Sequence, residues 1–324
     1  MLERIVQRIC GAIESAGRVM IVPHQYPDGD ALGAATALAA WCSSRQIICT
    51  VFCATPIPYT LRFLPFAESI TSDPEVWERE RYDAVVIVDS GDPVYAGAEP
   101  FLSALPYRPI LINIDHHPTN TRFGDLNLVV PAASSTSEIL YTFFTLNKIP
   151  ISAAMATSLM TGLITDTGTF TNSATSRLSL AVGGELIKKG ADLKTIKRSV
   201  LSDKSIEALK LWGIILSRLE LEPETGIAYT YFKRHDLEKH PVKEEEADGI
   251  ANLLNYLSEG RAALVLKERD GGTVKGSFRT TRDDLDVSAW AKKLGGGGHK
   301  KAAGFTVAGT VEEVLEKVLA AVRD

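Results

Sequence analysis

Short, mainly apolar runs alternate along the first half of the chain with longer stretches of helical character. Arg18–Pro23 (RVMIVP), Ala84–Val88 (AVVIV) and Ile110–Ile114 (ILINI) are too short and too uniformly apolar for surface helices, and they read as buried strands. Gln46–Cys53 reads as a further strand. Between and after them, the pattern turns helical. Residues 2–16 form an amphipathic stretch, Ala31–Cys42 is alanine-rich, and Ser134–Phe144 opens on cap-like Ser/Thr residues before turning apolar. Ile151–Leu163 and Thr175–Lys189, the latter ended by Gly190, read as two more helices. Strands that are apolar on both faces, separated by helical segments, predict a mostly parallel sheet covered on both sides.

The pattern changes near residue 190. Residues 191–210 carry no strong run and read as a linker between a first domain, 1–190, and a second, 211–324. In the second, Gly226–Phe232 reads as a strand and Lys243–Leu257 as a helix. Arg261–Lys267 and Val274–Thr280 read as antiparallel strands around Asp270-Gly271-Gly272. Val287–Lys293 reads as a helix, Ala302–Val307 as a strand and Val311–Val322 as a last helix. The expected fold is α/β: an N-terminal, mostly parallel sheet domain followed by a smaller, mixed α/β domain.

Composition narrows the function. Hydrophobic residues at 45% and charged residues at 23% describe an ordinary soluble globular protein. No stretch has the length and purity of a membrane span, and the N-terminus lacks a signal-peptide core. The four cysteines fall within the first 53 residues without a CxxC pair. They suit a reducing, cytoplasmic setting better than zinc. The net charge of −5 comes entirely from the first 190 residues, the remainder being balanced. This is not the broad basic face of a protein that grips long duplexes, but it leaves room for a small phosphorylated or short single-stranded ligand.

Each apolar strand ends in polar groups: His24/Asp28/Asp30, then Asp89/Asp92, then Asp115-His116-His117 before Pro118. Open α/β sheets gather such strand ends at one edge. Asp28 or Asp30 also suits a helix cap. Asp89 follows a fully apolar strand, where a carboxylate needs donors or a cation to offset desolvation. Asp92 lies farther out and suits bracing its loop. Asp166 follows an apolar helix, where it reads either as a turn residue or as one more member of the group. Oxygen-rich donors with a few imidazoles and no thiolates favour divalent manganese, or magnesium where nitrogen is scarcer. Two such ions about 3.5–4 Å apart would sharpen water as a nucleophile and neutralise phosphate oxygens. In the second domain, Gly295–Gly298 before His299 is either a crowded turn or a backbone nest for phosphate. Arg279 is either an exposed strand arginine or a phosphate fork.

These pieces, in order, resemble the DHH phosphoesterases: His24-Gln25-Tyr26-Pro27-Asp28-Gly29-Asp30, Val88-Asp89-Ser90-Gly91-Asp92, Asp115-His116-His117-Pro118-Thr119-Asn120 and Thr165-Asp166-Thr167-Gly168. The stretch GGGGHKKAAGF from Gly295 resembles the associated DHHA1 substrate-binding domain. The resemblance implies an active site in the interdomain cleft with two divalent ions, Mn2+ first, with Mg2+ or Co2+ as alternatives. One ion would take His24, Asp28 and Asp89; the other would take Asp30, Asp89, His116 and Asp166, with Asp89 bridging. Asp89, His116 and His117 would be catalytic, His117 as a phosphate contact or proton donor, and Asp115 would orient a neighbour. Arg279, Gly296, Gly297, Gly298 and His299 would hold substrate. Chain size and domain pair are most similar to the nanoRNase/pAp phosphatase group within the family. That implies hydrolysis of single-stranded RNA from dinucleotides to about five nucleotides, releasing nucleoside 5′-monophosphates. It also implies removal of the 3′-phosphate of 3′-phosphoadenosine-5′-phosphate (pAp). A cyclic di-AMP phosphodiesterase is the alternative, and an inactive nucleotide-binding regulator is the alternative of another class. A homodimer is compatible with this resemblance. Tyr26 stands where asparagine is common in these enzymes, and Ala34 where serine is frequent.

Overall fold

A computed structural model describes residues 2–201, 205–242, 247 and 249–323. It divides into two units, Met1–Ser202 and Asp203–Asp324. The first holds six strands: β1 (Arg18–Pro23), β2 (Ile48–Phe52), β3 (Ile70–Thr71), β4 (Ala84–Val88), β5 (Ile110–Asp115) and β6 (Leu126–Val129). All pair in parallel in the order β3-β2-β1-β4-β5-β6. Its helices are α1 (Leu2–Ser15), α2 (Gly29–Ser44), α3 (Val76–Arg79), α4 (Glu99–Ala104), α5 (Thr136–Leu146), α6 (Ala153–Asp166) and α7 (Arg177–Lys188). The four strands expected from apolar runs are present. The two-residue β3 and the alternating β6 carry too little apolar sequence to announce themselves.

The central strands are mainly apolar because both faces of the sheet are covered there. Along β4, Val86 and Val88 enter one core while Val85 and Ile87 enter the other, the two-residue period of a strand. The first core packs the rings of Trp41, Phe143 and Phe144 edge to face at 5.4–5.8 Å. The second stacks Trp77 on Phe101 with centroids 5.4 Å apart. Small residues let α2 lie close against α6: a Cβ on Gly33 would meet the Ser158 carbonyl oxygen at 2.5 Å.

Strand order reverses between β1 and β4, and there a crevice opens beyond the strands' carboxyl ends. The register is explicit. Pro23 pairs with Val88, and Val88 with Ile114. The next residues along these strands are His24, Asp89 and Asp115.

The second unit is a mixed sheet, β7 (Glu220–Glu222), β8 (Ile227–Phe232), β9 (Ala262–Arg269), β10 (Thr273–Arg279), β11 (Gly297–His299) and β12 (Ala302–Ala308), in the order β11-β12-β10-β9-β8-β7. Only β8 and β9 run parallel among the described pairs. Helices Val287–Lys293 and Val311–Arg323 close one face over Leu264, Leu266 and Phe278. The helix expected over 243–257 is shorter where it is described, Ile250–Leu253 followed by a 3-10 turn, Leu254–Tyr256; residues 243–246 and 248 lie outside the described residues. The stretch expected to be a linker is helical at Leu193–Ile196 and from Ile206 onward, where Leu211 and Ile215 are buried. No helix among the described residues is long and apolar enough to cross a membrane.

Candidate metal centre

The loop after β1 delivers His24, and its Nδ1 lies 2.8 Å from the Gln25 carbonyl oxygen. A carbonyl only accepts, so Nδ1 carries the hydrogen and Nε2 is left to face the crevice. That atom sits 3.8 Å from Asp28 Oδ1 and 3.7 Å from Asp89 Oδ2. The loop after β5 repeats the device. His116 turns Nδ1 toward the Ala133 carbonyl oxygen at 3.4 Å, with Nε2 3.2 Å from Asp166 Oδ2 and 3.6 Å from Asp89 Oδ1. Two imidazoles, each held from behind, aim one nitrogen at carboxylate oxygens at spacings that a shared cation would bridge.

Each carboxylate is fixed by its element. Asp28 caps α2, its Oδ1 accepting from the amides of Asp30 and Ala31 at 2.9 and 3.0 Å. It therefore fills the cap role and still approaches His24. Asp30, fully buried, accepts from the Thr136 amide at 2.6 Å and the Ser137 amide at 2.9 Å, the electropositive start of α5. Asp89 follows β4 with φ +57°, a left-handed turn that aspartate tolerates better than bulkier residues. The Thr136 hydroxyl donates to its Oδ1 at 2.8 Å. Asp166 ends α6, where the helix's own carbonyl ends disfavour a negative charge. Gly162 makes room for the whole arrangement: a Cβ there would lie 2.1 Å from Ser137 Oγ and 2.4 Å from Asp30 Oδ1.

Charge assembled this way is strained without a cation. Burial, then the charge of Asp89, pushes Asp30 up to about 7. Burial, then Asp28, pushes Asp89 up to about 7. Burial and three neighbouring carboxylates raise Asp166 well above the usual carboxylate range. Burial opposes a charge on His24, yet Asp28 and Asp89 outweigh it and raise the ring to about 9. Crowding and burial thus oppose charge on Asp30, Asp89 and Asp166, and divalent cations would offset that cost. Two triads, His24/Asp28/Asp89 and Asp30/His116/Asp166, each bring their ligand atoms within 4.8 Å of one another. Asp89, His116 and His117 make a third. The donor set, oxygen with two imidazoles, fits hard or borderline divalent ions.

His117 is held differently. Its Nδ1 lies 2.7 Å from Asp115 Oδ1 and 3.8 Å from Asp89 Oδ1. The hydrogen bond to Asp115 raises its pKa, and the same bond lowers that of Asp115 against the opposing effect of burial. Asp115 also accepts from Asn120 Nδ2 at 2.6 Å. Asn120 reaches Asn113 Oδ1 at 2.7 Å and the Ser90 carbonyl at 3.2 Å. This buried network ties the loop after β4 to the loop after β5. Asp92 does not join the cluster: it accepts from the Tyr95 amide at 2.7 Å and braces its own loop.

A model of the DHH family N-terminal domain matches residues 18–163, and a DHHA1 domain model matches residues 224–324. The bifunctional oligoribonuclease and PAP phosphatase NrnA of Thermus thermophilus is 32% identical over 99% of this chain and 93% of its own. The chain belongs to the DHH phosphoesterase family. The protein of the same description from Bacillus subtilis is 27% identical over 89% of either chain. The crystal structure of an exopolyphosphatase-related protein from Bacteroides fragilis superposes with a TM-score of 0.91 at 25% identity, covering 99% of this chain and 96% of that one. DHH phosphoesterases depend on metal, and the acidic and imidazole clusters here could hold it.

The family's second domain carries the remaining expected residues. Arg279 ends β10, its Nε donating to Asn252 Oδ1 at 2.9 Å and its Nη1 to the Phe278 carbonyl at 2.8 Å. The glycine run, expected as either a crowded turn or a phosphate nest, is crowded at two of its positions. Gly297–His299 is the edge strand β11, paired with β12. Gly296 and Gly298 are needed for that packing, since a Cβ would lie 2.1 Å from the Gly304 carbonyl and 2.6 Å from the Ala302 carbonyl respectively. Gly297 has nothing within 4 Å of its Cβ position, so the sheet alone does not require glycine there. The His299 side chain lies outside what the structure describes.

Sequence reasoning missed Thr136, whose Ser/Thr-rich surroundings read only as a helix cap, along with Asn113, the Ala133 carbonyl and Gly162. Nothing in their own sequence context distinguishes them; each matters through a partner distant along the chain.

Proposed function

We propose that the chain hydrolyses very short oligoribonucleotides to nucleoside 5′-monophosphates and removes the 3′-phosphate of pAp, using two divalent ions, manganese first. The observation that carries this is the pair of imidazoles aimed at four convergent carboxylates. His24, Asp28 and Asp89 would hold one ion, and Asp30, Asp89, His116 and Asp166 the other; Asp89 Oδ2 faces His24 and its Oδ1 faces His116. Such ions, when bound, activate water near neutral pH and neutralise charge developing on phosphate oxygens. The protein's own part is positional. The α5 amides and the Thr136 hydroxyl hold two carboxylates on target, and the Asp115–Asn120 network holds His117 beside them. His117 contacts phosphate or gives a proton to the departing ribose oxygen. From the family resemblance, Arg279 and the Gly296, Gly297, Gly298 and His299 run are the second unit's candidate residues for binding phosphate.

The named relatives support this substrate range. The cyclic-di-AMP phosphodiesterase GdpP of Geobacillus thermodenitrificans is 26% identical over 96% of this chain but only 48% of its own. Cyclic di-AMP therefore belongs in the same assay as a second candidate. Purified protein with Mn2+ is given pApA, a five-nucleotide RNA, pAp and cyclic di-AMP, and products are separated over time. The proposal expects AMP from pApA and pAp, with cyclic di-AMP slower. Ring opening of cyclic di-AMP alone, or no turnover of any of them, would refute it.

A further inference from the structure

The loop between His24 and Asp28 presents a residue that the carboxylates and imidazoles do not explain. Tyr26 is 77% exposed, although its ring has a large apolar area to bury. Its backbone sits at φ +53°, a conformation that bulky side chains rarely adopt. Strain of this kind persists only where the surroundings hold it. Here they do. The Tyr26 amide donates to Thr55 Oγ1 at 2.6 Å, and the Gln25 amide donates to the Tyr95 carbonyl at 3.3 Å. The exposed ring thus stands on a fixed loop. One residue separates it from each of His24 and Asp28, so its Cα lies within roughly 7 Å of theirs.

The neighbouring loop supplies a second ring beside His24. Tyr95 is 46% exposed and packs against His24, with centroids 5.1 Å apart and planes 30° from parallel. Neither tyrosine belongs to an apolar core of the described residues. A rigid, wet-tipped aromatic beside a phosphate-hydrolysing centre matches what a nucleobase needs. Every base has a stacking face, and stacking is tolerant of base identity.

We infer that Tyr26 is a substrate-binding residue that stacks on a nucleobase of the ligand, so that the site prefers nucleotides over bare sugar phosphates. The claim rests on the phosphoesterase reading of the same centre. Calorimetric titration of the manganese-loaded protein with AMP and with ribose 5-phosphate tests it. Variants are Tyr26→Phe, which keeps the ring, and Tyr26→Asn, which removes it while tolerating the left-handed backbone. The wild type binds AMP about tenfold more tightly than ribose 5-phosphate. Tyr26→Phe keeps that ratio, and Tyr26→Asn brings it close to one by weakening AMP alone. The inference is overturned if the wild type shows no preference, if Tyr26→Asn keeps it, or if Tyr26→Asn weakens both ligands equally. Wild-type turnover of pApA is measured in parallel. Absent turnover with an intact, Tyr26-dependent AMP preference would reject the phosphodiesterase reading and leave the stacking role standing.

Discussion

Thr136 connects two carboxylates of the candidate centre that come from different elements, Asp30 in α2 and Asp89 after β4. Its amide reaches Asp30 at 2.6 Å and its hydroxyl reaches Asp89 at 2.8 Å. Thr136→Val keeps the branched shape and the amide but deletes the hydroxyl. Asp89 is only 2% exposed, so water does not readily replace the lost donor. A hydrogen bond to a charged group contributes about 1.5–3 kcal/mol, which corresponds to a roughly 10–150-fold weaker hold on a cation. Loss of a partner behind a metal ligand typically costs about 10–100-fold in affinity, which agrees. Manganese titration by calorimetry, with half-saturation of turnover measured alongside, reads the effect. Thr136→Val should shift both by more than tenfold, and Thr136→Ser should return both to within about threefold of wild type. Metal-dependent stabilisation against heat should shrink in step, by mass action. Manganese affinity unchanged in Thr136→Val, or serine as damaging as valine, would refute the assigned role.

Other consequences follow from the same geometry. Asp89→Ala removes the carboxylate that approaches both imidazoles, at 3.7 Å from His24 and 3.6 Å from His116, and turnover should fall by about 10³-fold or more in a steady-state assay. Gly162→Ala forces a methyl group into Ser137 and Asp30, so thermal unfolding should show about 1–3 kcal/mol of destabilisation together with weaker manganese binding. In the second unit, Gly296→Ala should lower the melting temperature while Gly297→Ala leaves it unchanged; if Gly297 contacts substrate, the KM for pApA rises in that variant alone. Asp236 accepts a two-pronged bond from Arg218 at 2.6 and 2.8 Å, which holds its pKa below the usual value. Its contribution is therefore present above about pH 4 and lost as pH falls through the lowered value. Asp236→Asn should cost about 1–2 kcal/mol in urea at pH 7, with the difference from wild type closing at the acid end.

The residues that make the sheet were legible because both faces of β1, β4 and β5 are buried, leaving short, mainly apolar runs. Their polar endings were legible for the same reason: His24, Asp89 and Asp115 each follow residues that could not tolerate them. β3 escaped because two residues carry no period, and β6 because its alternation is only four residues long. Asp28 illustrates a reading in which two roles coexist, helix cap and neighbour of His24. The glycine run shows a limit of another kind. The sequence left a crowded turn and a phosphate nest both open; close approach of β11 to β12 accounts for Gly296 and Gly298 and leaves Gly297 as the position where a ligand role is worth testing. Thr136, Asn113 and Gly162 act through partners far off in the chain, and no local pattern encodes that proximity.

The account depends on the triads around Asp89 receiving divalent cations. A crystal grown with Mn2+ and measured at the manganese absorption edge would test this most directly. Two anomalous peaks about 3.5–4 Å apart are expected, one among His24, Asp28 and Asp89 and the other among Asp30, Asp89, His116 and Asp166. Anomalous density elsewhere, with none between these side chains, would contradict the account.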